Sequence, residues 1–164
     1  MTEGGAERPR EVESVWDYPR PPRWEHDGRR VTVRYGTVTV ADSSRCLRVL
    51  ETSHAPVFYI PVPDVRTDLL SRSARTSFCE WKGIATFWDL LTTVGALDAV
   101  AWSYERPTPP FTELRGHIAF YARADVRCEV AGERVRAQPG HFYGGWITDD
   151  VTGPFKGGPR TSGW

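Results

Sequence analysis

The sequence predicts a single all-β domain, and three observations favour that fold class. Short segments rich in β-branched and aromatic residues recur along the 164 residues. The 15 glycines and 13 prolines separate these segments at short intervals, as turn residues do. Outside one short stretch, no segment has the sustained 3.6-residue periodicity of an amphipathic helix. A chain of this length is most simply one domain with its own hydrophobic core.

The first 28 residues are predicted to lie outside the regular core. Residues 1–14 are polar and lack the apolar run of a secretory signal, so we expect a disordered or frayed terminus. Residues 15–28 contain three prolines that exclude a helix, and we expect an extended arm there. Its large rings, Trp16, Tyr18 and Trp24, would dock on the folded body.

The all-β core is predicted to occupy residues 29–125. Residues 29–42 alternate valines with polar residues on both sides of Gly36, which is typical of a β-hairpin with one buried face. Pro63 and Asp64 precede further apolar residues and indicate one short helix. Further strands are expected within residues 45–51, 54–62, 81–91, 98–107 and 113–122.

Residues 126–164 are predicted to add a second hairpin and a tail to the same domain. The hairpin would fold around Gly132, with a strand on each side. The tail is rich in Gly and Pro, but a flexible linker would not need large rings, so we expect an ordered, irregular segment wrapped on the sheet. Its rings belong to Phe142, Tyr143, Trp146, Phe155 and Trp164.

Charge and cysteine usage restrict the partners of the protein. Lys plus Arg number 21 and Asp plus Glu number 21, so the zero formal charge argues against nucleic acid or an anionic membrane as partner. Cys46, Cys79 and Cys128 form no C-x-x-C pair, so we predict no metal site and a reduced, cytoplasmic location. No apolar run has the length of a membrane span, and no motif indicates a cofactor.

Lysine is scarce in this chain. Of the 21 basic residues only Lys82 and Lys156 are lysines, and the other 19 are arginines. A lysine amine can shift its pKa or act as a compact point charge, whereas a guanidinium stays protonated. Lys82, between Trp81 and Gly83, is therefore either an amine kept for its chemistry or a solvated residue at the end of a strand.

Four spaced segments match a known family pattern. They are RVLETSHAPVFYIPVPDV at residues 48–65, SFCEWKGIATFW at 77–88, AVAWSYERP at 99–107 and GHIAFY at 116–121. In this order they resemble the family of domain of unknown function 427, over roughly residues 30–122, and the flanking segments resemble longer, actinobacterial-type members. The family pattern has Cys-Pro or a similar pair where this chain has Cys79 and Glu80, which adds a charge beside Lys82.

The resemblance implies a β-tent fold, in which two antiparallel sheets meet at one edge and open at the other. Relatives of that fold include methionine sulfoxide reductase B and the thalidomide-binding domain of cereblon, and many bind zinc through paired C-x-x-C motifs. This chain has no such motif, so zinc is not expected. The family has also been described as nucleotidyltransferase-like, but the chain lacks a phosphate-cradling glycine loop and paired metal-binding carboxylates.

Glu51 and His54 are candidate catalytic residues. Glu51 follows an apolar strand, and burial near rings would raise its pKa towards the range of a general acid or base. His54 follows three residues later and could share a loop above a cleft with Glu51, where it would transfer protons near neutral pH. The structural alternatives are an ion pair of Glu51 with Arg48 or another arginine, and an exposed loop histidine.

Tyr59 and Lys82 are the other two candidate catalytic residues. Strand alternation places Val57 and Tyr59 on one face, opposite Phe58. If the two strands were neighbours, a Tyr59–Lys82 pair would lower the phenol pKa and supply an acid or base. A packed tyrosine with its hydroxyl bound to the backbone is the alternative.

Five residues are candidates for binding a ligand. Aromatic side chains and a cation can hold a flat or anionic molecule. Trp102 and Tyr104 share a strand face, whereas Trp81 and Lys82 project together only if Gly83 forms a bulge. The candidate ligand-binding residues are Trp81, Trp88, Trp102, Tyr104 and Arg48.

Three functions remain open from the sequence. The first is an aromatic-lined pocket that binds a small polar or anionic molecule, in a monomer or homodimer. The second is a cofactor-independent acid/base enzyme of the lyase, isomerase or hydrolase type that uses Glu51, Tyr59 and Lys82. The third is an interaction adaptor that binds its partner through the Trp-rich tail.

Overall fold

Residues 10–164 are described by a computed structural model, and they confirm the all-β fold class. This part of the chain forms fifteen strands and four single-turn 3-10 helices, and it contains no α-helix. The 3-10 turns span Val15–Asp17, Val62–Asp64, Thr67–Leu69 and Thr112–Leu114.

The larger of two main sheets has seven antiparallel strands with β2 and β7 at its edges. In spatial order they are β2 (Arg23–Asp27), β5 (Cys46–Leu50), β6 (Val57–Pro61), β10 (His117–Phe120), β9 (Ala96–Ser103), β8 (Gly83–Leu91) and β7 (Leu70–Cys79). The central strand β10 pairs with β6 through its first two residues and with β9 through its last two. Four residues therefore join the two halves of this sheet.

The second main sheet consists of the two hairpins that the sequence predicts. Its strands, in spatial order, are β12 (Glu133–Arg134), β11 (Val126–Val130), β3 (Val31–Tyr35) and β4 (Val38–Ser43). Gly36 and Gly132 occupy the two turns with φ of +60° and +84°, a conformation that glycine adopts without strain. The hairpins associate because β3 pairs with β11 along five residues.

Two small sheets attach the chain ends to this body. β1 (Glu13–Ser14) pairs in parallel with β15 (Val151–Thr152), and β13 (Arg136–Ala137) pairs with β14 (Trp146–Ile147) in antiparallel fashion. The tail is thus ordered on the sheets. Trp146 is buried, stacks on Phe58 and donates its Nε1 hydrogen to the Phe120 carbonyl at 2.9 Å.

The main hydrophobic core lies between the two large sheets. Val31 and Val33 of the four-stranded sheet pack in one cluster with Phe58 and Ile60 of β6, and all four are at most 2 % exposed. Strand alternation then turns Val57 and Tyr59 to the opposite face of the seven-stranded sheet. The β-tent arrangement of these sheets stays a prediction from the family resemblance.

Four local features differ in detail from the sequence-based expectations. The short helix expected after Pro63 is replaced by two separate 3-10 turns, and neither has a side-chain N-cap hydrogen bond. Lys82 lies in the turn between β7 and β8, and the strand begins only at Gly83. Within residues 15–28, where an extended arm is expected, the chain forms edge strand β2. The sequence predicts a disordered or frayed terminus over residues 1–14. Residues 1–9 lie outside the described part of the chain, and Glu13 and Ser14 form strand β1.

A buried ion cluster joins the N-terminal segment to the sheet. Arg48 is only 2 % exposed, and its guanidinium lies 2.6 Å from a Glu25 carboxylate oxygen and 2.9 Å from one of Glu13. Its Nε lies 3.7 Å from Asp27. The cluster gives the buried guanidinium three acidic neighbours, as a charge at this depth requires.

Candidate functional site

A cavity of about 540 Å³ lies on the face of the seven-stranded sheet that is turned away from the main core. The strands β5, β6, β8 and β9 form its floor. The β7–β8 turn lies at the cavity, as do the loop after β5 and part of the tail. Its lining includes the strand residues Val49, Val57, Tyr59, Cys79, Ala85, Phe87 and Trp102, the residues Tyr104 and Tyr121 that directly follow β9 and β10, the turn residues Glu80 to Lys82, the loop residues Glu51, His54 and Ala55, and the tail residues Gln138, Phe142 to Gly145, and Lys156.

Aromatic rings form the floor of the cavity. Trp102 Nε1 donates a hydrogen bond to the Tyr59 hydroxyl at 3.4 Å, and the two rings meet edge to face. The Tyr104 ring lies 6.4 Å from that of Tyr59, and the Tyr121 ring lies 4.5 Å from that of Trp102. Such a surface suits a flat apolar group.

Tyr59 is not poised to act as a base. Its side chain is 1 % exposed, and burial raises its pKa well above the ordinary value of 10.0. Lys82 lines the same cavity but does not hydrogen-bond to Tyr59. In the sheet, β9 and β10 lie between β6, which contains Tyr59, and β8, which follows Lys82. The pair therefore does not lower the phenol pKa as the sequence-based hypothesis requires.

Lys82 is buried in the cavity wall, and no residue from 10 to 164 gives it an acidic partner. It is 8 % exposed, and its Nζ lies 5.8 Å from the centre of the Tyr104 ring and 5.7 Å from that of Phe111. Among residues 10–164 it forms neither an ion pair nor a side-chain hydrogen bond. These cation–π contacts stabilise the ammonium only in part.

The turn that holds Lys82 has a fixed backbone. The Thr108 amide donates to the Lys82 carbonyl at 3.0 Å, and the Thr108 hydroxyl donates to the Trp81 carbonyl at 2.7 Å. Gly83 follows with φ of +106°, a value that side chains rarely tolerate. Because the turn replaces regular strand geometry here, Trp81 and Lys82 both line the cavity.

His54 and Glu51 lie together at the cavity. The His54 Nδ1 is 2.8 Å from the Thr52 carbonyl and 3.8 Å from Glu51 Oε2. A carbonyl only accepts, so Nδ1 bears the proton and the neutral ring keeps Nε2 as an acceptor. Burial lowers the pKa of His54 below 6.5, against the opposing effect of Glu51. The loop turns at Ser53, whose φ is +70°.

The tail brings the second lysine of the chain to the same cavity. Lys156 Nζ lies 5.6 Å from the centre of the Tyr143 ring, which in turn packs edge to face with His54. The Lys156 amide donates to the Ser53 carbonyl at 2.8 Å. Both lysines thus line one cavity, and none of the arginines within residues 10–164 does.

Gln138 fastens the tail to the loop that contains His54. Its Oε1 accepts from the Ala55 amide at 3.0 Å, and its Nε2 donates to the Lys156 carbonyl at 2.9 Å. Gln138 is 2 % exposed, and both ends of its amide are hydrogen-bonded. A Cβ at Gly145 would stand 2.4 Å from the Gln138 Oε1, so only glycine lets the backbone pass this close to the Gln138 side chain.

Two of the candidate ligand-binding residues lie away from this cavity. Arg48 belongs to the buried ion cluster, because strand alternation turns it away from Val49, which lines the cavity. Trp88 lies on the opposite face of β8 from Ala85 and Phe87. Its Nε1 donates to the Ser103 hydroxyl at 2.9 Å, and it lines a second cavity of about 330 Å³.

Sequence reasoning missed Lys156, Gln138 and Tyr143 as cavity residues. The scarcity of lysine was a usable signal for Lys156, since it applied equally to both lysines. Nothing in the sequence indicated Gln138. Its position depends on the path of the tail across the sheet.

Residues 10–164 also bear on metal binding and on membrane insertion. This part of the chain holds no group of three or more His, Cys, Asp or Glu side chains placed to bind a metal ion. The cysteines Cys46, Cys79 and Cys128 are free. None of the helical segments has the length and apolar character needed to cross a bilayer.

Comparison with known proteins identifies the family. No curated protein matches the chain. The family model described as "Domain of unknown function (DUF427)" matches residues 23–132, which span β2 to β11 and include the loop with Glu51 and His54 and the turn with Lys82. The tail with Gln138 and Lys156 lies beyond the matched segment. Since the match covers well over half of the chain, the protein belongs to the DUF427 family.

Proposed function

We propose that the cavity binds a small organic anion with a flat apolar portion. The observation that carries this proposal is that Lys82, nine-tenths buried in the cavity wall, has no acidic partner among residues 10–164. A buried ammonium without a counter-charge is costly, and a bound carboxylate or similar group would compensate it. The aromatic contacts described above offset only part of that cost.

The second lysine strengthens the argument. Lys156 lines the same cavity and likewise forms no ion pair within residues 10–164. The arginines of the chain, by contrast, commonly form ion pairs, as Arg29 does with Asp27 at 2.7 Å. The two lysines that line the cavity therefore both lack an acidic partner within residues 10–164, which suits an incoming anion.

The cavity walls restrict the rest of the ligand. Trp102, Tyr104 and Tyr121 present ring surfaces, and the volume falls in the range of small-molecule sites. A planar ring or conjugated system would stack there and bury apolar area, while its anionic group contacts a lysine. Simple inorganic anions would use the lysines but leave the rings exposed.

Isothermal titration calorimetry tests the proposal with a matched pair of probes. Terephthalate has a flat ring and two carboxylates, and benzyl alcohol has the ring without charge. We expect terephthalate to bind and benzyl alcohol to bind far more weakly. Lys82→Met and Lys156→Met should each weaken terephthalate binding about tenfold or more, as the loss of a charged contact does.

Arg34→Met is the matched control, because it removes an exposed positive charge from β3, outside the cavity. It should leave the affinity unchanged. Binding that is equal for both probes, or that depends on Arg34 as much as on the lysines, would contradict the proposal.

The geometry of His54 favours acid/base catalysis as a second candidate function. The neutral ring is oriented by the Thr52 carbonyl, Glu51 lies 3.8 Å away, and Nε2 makes no hydrogen bond within residues 10–164. A histidine so arranged can accept a proton from a bound molecule. If the protein is such an enzyme, Glu51→Gln and His54→Gln would abolish turnover but retain ligand binding. If the protein only binds its ligand, the unaltered protein would exchange no ligand protons with solvent. Exchange of ligand C–H protons with D₂O, followed by NMR, measures the difference.

A further inference from the structure

The surroundings of Lys82 favour a more specific role for its amine. The nitrogen reaches a cavity that can hold a small organic molecule, and no side chain of residues 10–164 occupies it in an ion pair or hydrogen bond. A salt bridge would block approach to the nitrogen, and here the approach is free. The backbone of the residue is fixed by Thr108, so the amine is presented from a rigid turn.

We propose that Lys82 condenses with a carbonyl group, and that the ligands of the cavity include organic anions that carry an aldehyde or ketone. This inference rests on the proposed function, since Lys156 would hold the anionic group. The two lysines then have different tasks within one cavity.

The condensation balances without a further reactant. After the ammonium of Lys82 gives up a proton to solvent water, the amine nitrogen attacks the carbonyl carbon and forms a C–N bond. The carbonyl oxygen leaves as water together with the two remaining amine protons, and a C=N bond remains. No electron donor or acceptor is needed, and hydrolysis reverses the step.

Arginine could bind the same anions but could not take part in this reaction. A guanidinium stays protonated and has no nucleophilic nitrogen at neutral pH. A chain that uses arginine at 19 of its 21 basic positions retains a primary amine at Lys82. Lys156 is the less suitable nucleophile of the two, because in this arrangement it holds the anionic group.

Reductive trapping tests this inference on the intact protein. The probe is 4-carboxybenzaldehyde with sodium cyanoborohydride, and the matched non-reactive compound is 4-(hydroxymethyl)benzoate. An imine would be reduced to a secondary amine, with a mass gain equal to the aldehyde less one oxygen atom. Peptide mapping should find the adduct at Lys82 in about tenfold excess over Lys156, because the bound aldehyde is held beside one amine.

The matched variants are Lys82→Arg, which keeps the charge but removes the nucleophile, and Lys156→Arg. We expect the first to remove most of the adduct and the second to retain it. Peptide mapping of the unaltered protein already shows which lysine carries the adduct, so the test does not depend on whether either variant folds. Excess 4-(hydroxymethyl)benzoate should suppress the adduct at Lys82.

The outcomes separate this inference from the proposed function. If 4-(hydroxymethyl)benzoate binds by calorimetry but the aldehyde labels neither lysine, or labels both equally, Lys82 is not the dedicated carbonyl-reactive amine of the cavity, and the anion site still stands. If 4-(hydroxymethyl)benzoate neither binds nor suppresses labelling, both the anion site and the inference fail.

Discussion

Gly144 lies directly against the indole ring of Trp102. A Cβ built on this glycine would stand 1.9 Å from a carbon of that ring, far inside van der Waals contact. The tail therefore crosses the floor of the cavity at a point where only glycine fits. This contact fixes where the tail residues on either side of it reach the cavity.

Gly144→Ala should destabilise the protein by about 1–3 kcal/mol, as overpacking of a close contact does. Urea unfolding followed by tryptophan fluorescence measures the change. Gly158→Ala is the matched control, because a Cβ there meets nothing within 4 Å and its φ is not in the left-handed region. Equal stability of the two variants would mean that the tail does not cross at Trp102.

Lys82→Met should stabilise the ligand-free protein by about 1 kcal/mol while it weakens anion binding, because it removes a buried charge that has no acidic partner in the described part of the chain. Urea unfolding without ligand measures the gain. Lys156→Met should change stability less, since Lys156 is only half-buried. A loss of stability in Lys82→Met would indicate a structural role for the amine.

Arg48→Ala should cost about 3 kcal/mol, because it leaves buried or half-buried carboxylates without their shared partner. Arg66→Ala is the control. Arg66 forms an exposed pair with Asp68 at 2.8 Å, and such pairs contribute little to stability. Comparable effects of both substitutions on the unfolding midpoint would contradict the assignment of Arg48 to a structural cluster.

Acid should destabilise the protein because it protonates the carboxylates that surround Arg48. Burial by itself raises the pKa of Asp27, but hydrogen bonds from Arg29 lower it to a net value below 3.8, and the pKa of Glu13 is likewise lowered below 4.5. A carboxylate whose pKa is lower in the folded state stabilises the protein above its unfolded pKa, and that contribution is lost as the pH falls through the folded value. Stability should therefore decline below about pH 4.5.

Unfolding midpoints in urea between pH 6 and pH 3 measure this decline. Asp27→Asn should flatten the pH dependence below pH 4, and the exposed Asp125→Asn should not. An unchanged slope in Asp27→Asn would show that other carboxylates control acid stability.

His54 should remain neutral at pH 7 and titrate below 6.5, because burial lowers its pKa. NMR titration of the ring measures the pKa, and the ring nitrogen shifts should report the tautomer protonated at Nδ1. Since the pKa is lower in the folded state, the contribution of His54 to stability is full above pH 6.5 and falls as the pH drops through the folded value. Glu51→Gln should lower the pKa further, because the Glu51 charge raises it. A pKa at or above 6.5 would contradict the buried, neutral ring.

The sequence alone predicted the two hairpins, and strand alternation predicted which face of the sheet a side chain occupies. Alternation placed Tyr59 opposite Phe58 and put Trp102 and Tyr104 on one face, because the side-chain period of a strand is two. The same rule, applied to β8, favours Phe87 over Trp88 as a cavity residue.

The rest of the site depends on contacts between segments distant in sequence. Lys156 reaches the cavity because Gln138 and the glycines of the tail allow a close crossing, and no local pattern encodes that path. Arg48 was misplaced because its three acidic neighbours come from other parts of the chain.

Selective labelling of lysine with ¹³C tests most directly whether anions bind beside both amines, since the chain contains only two lysines and the Cε signals are readily assigned by Lys82→Arg. Titration with terephthalate should shift both signals along a common saturation curve, and benzyl alcohol should leave them in place. If neither signal moves at concentrations that saturate any calorimetric binding, the anion is not held by these lysines, and the proposed function of the cavity is wrong.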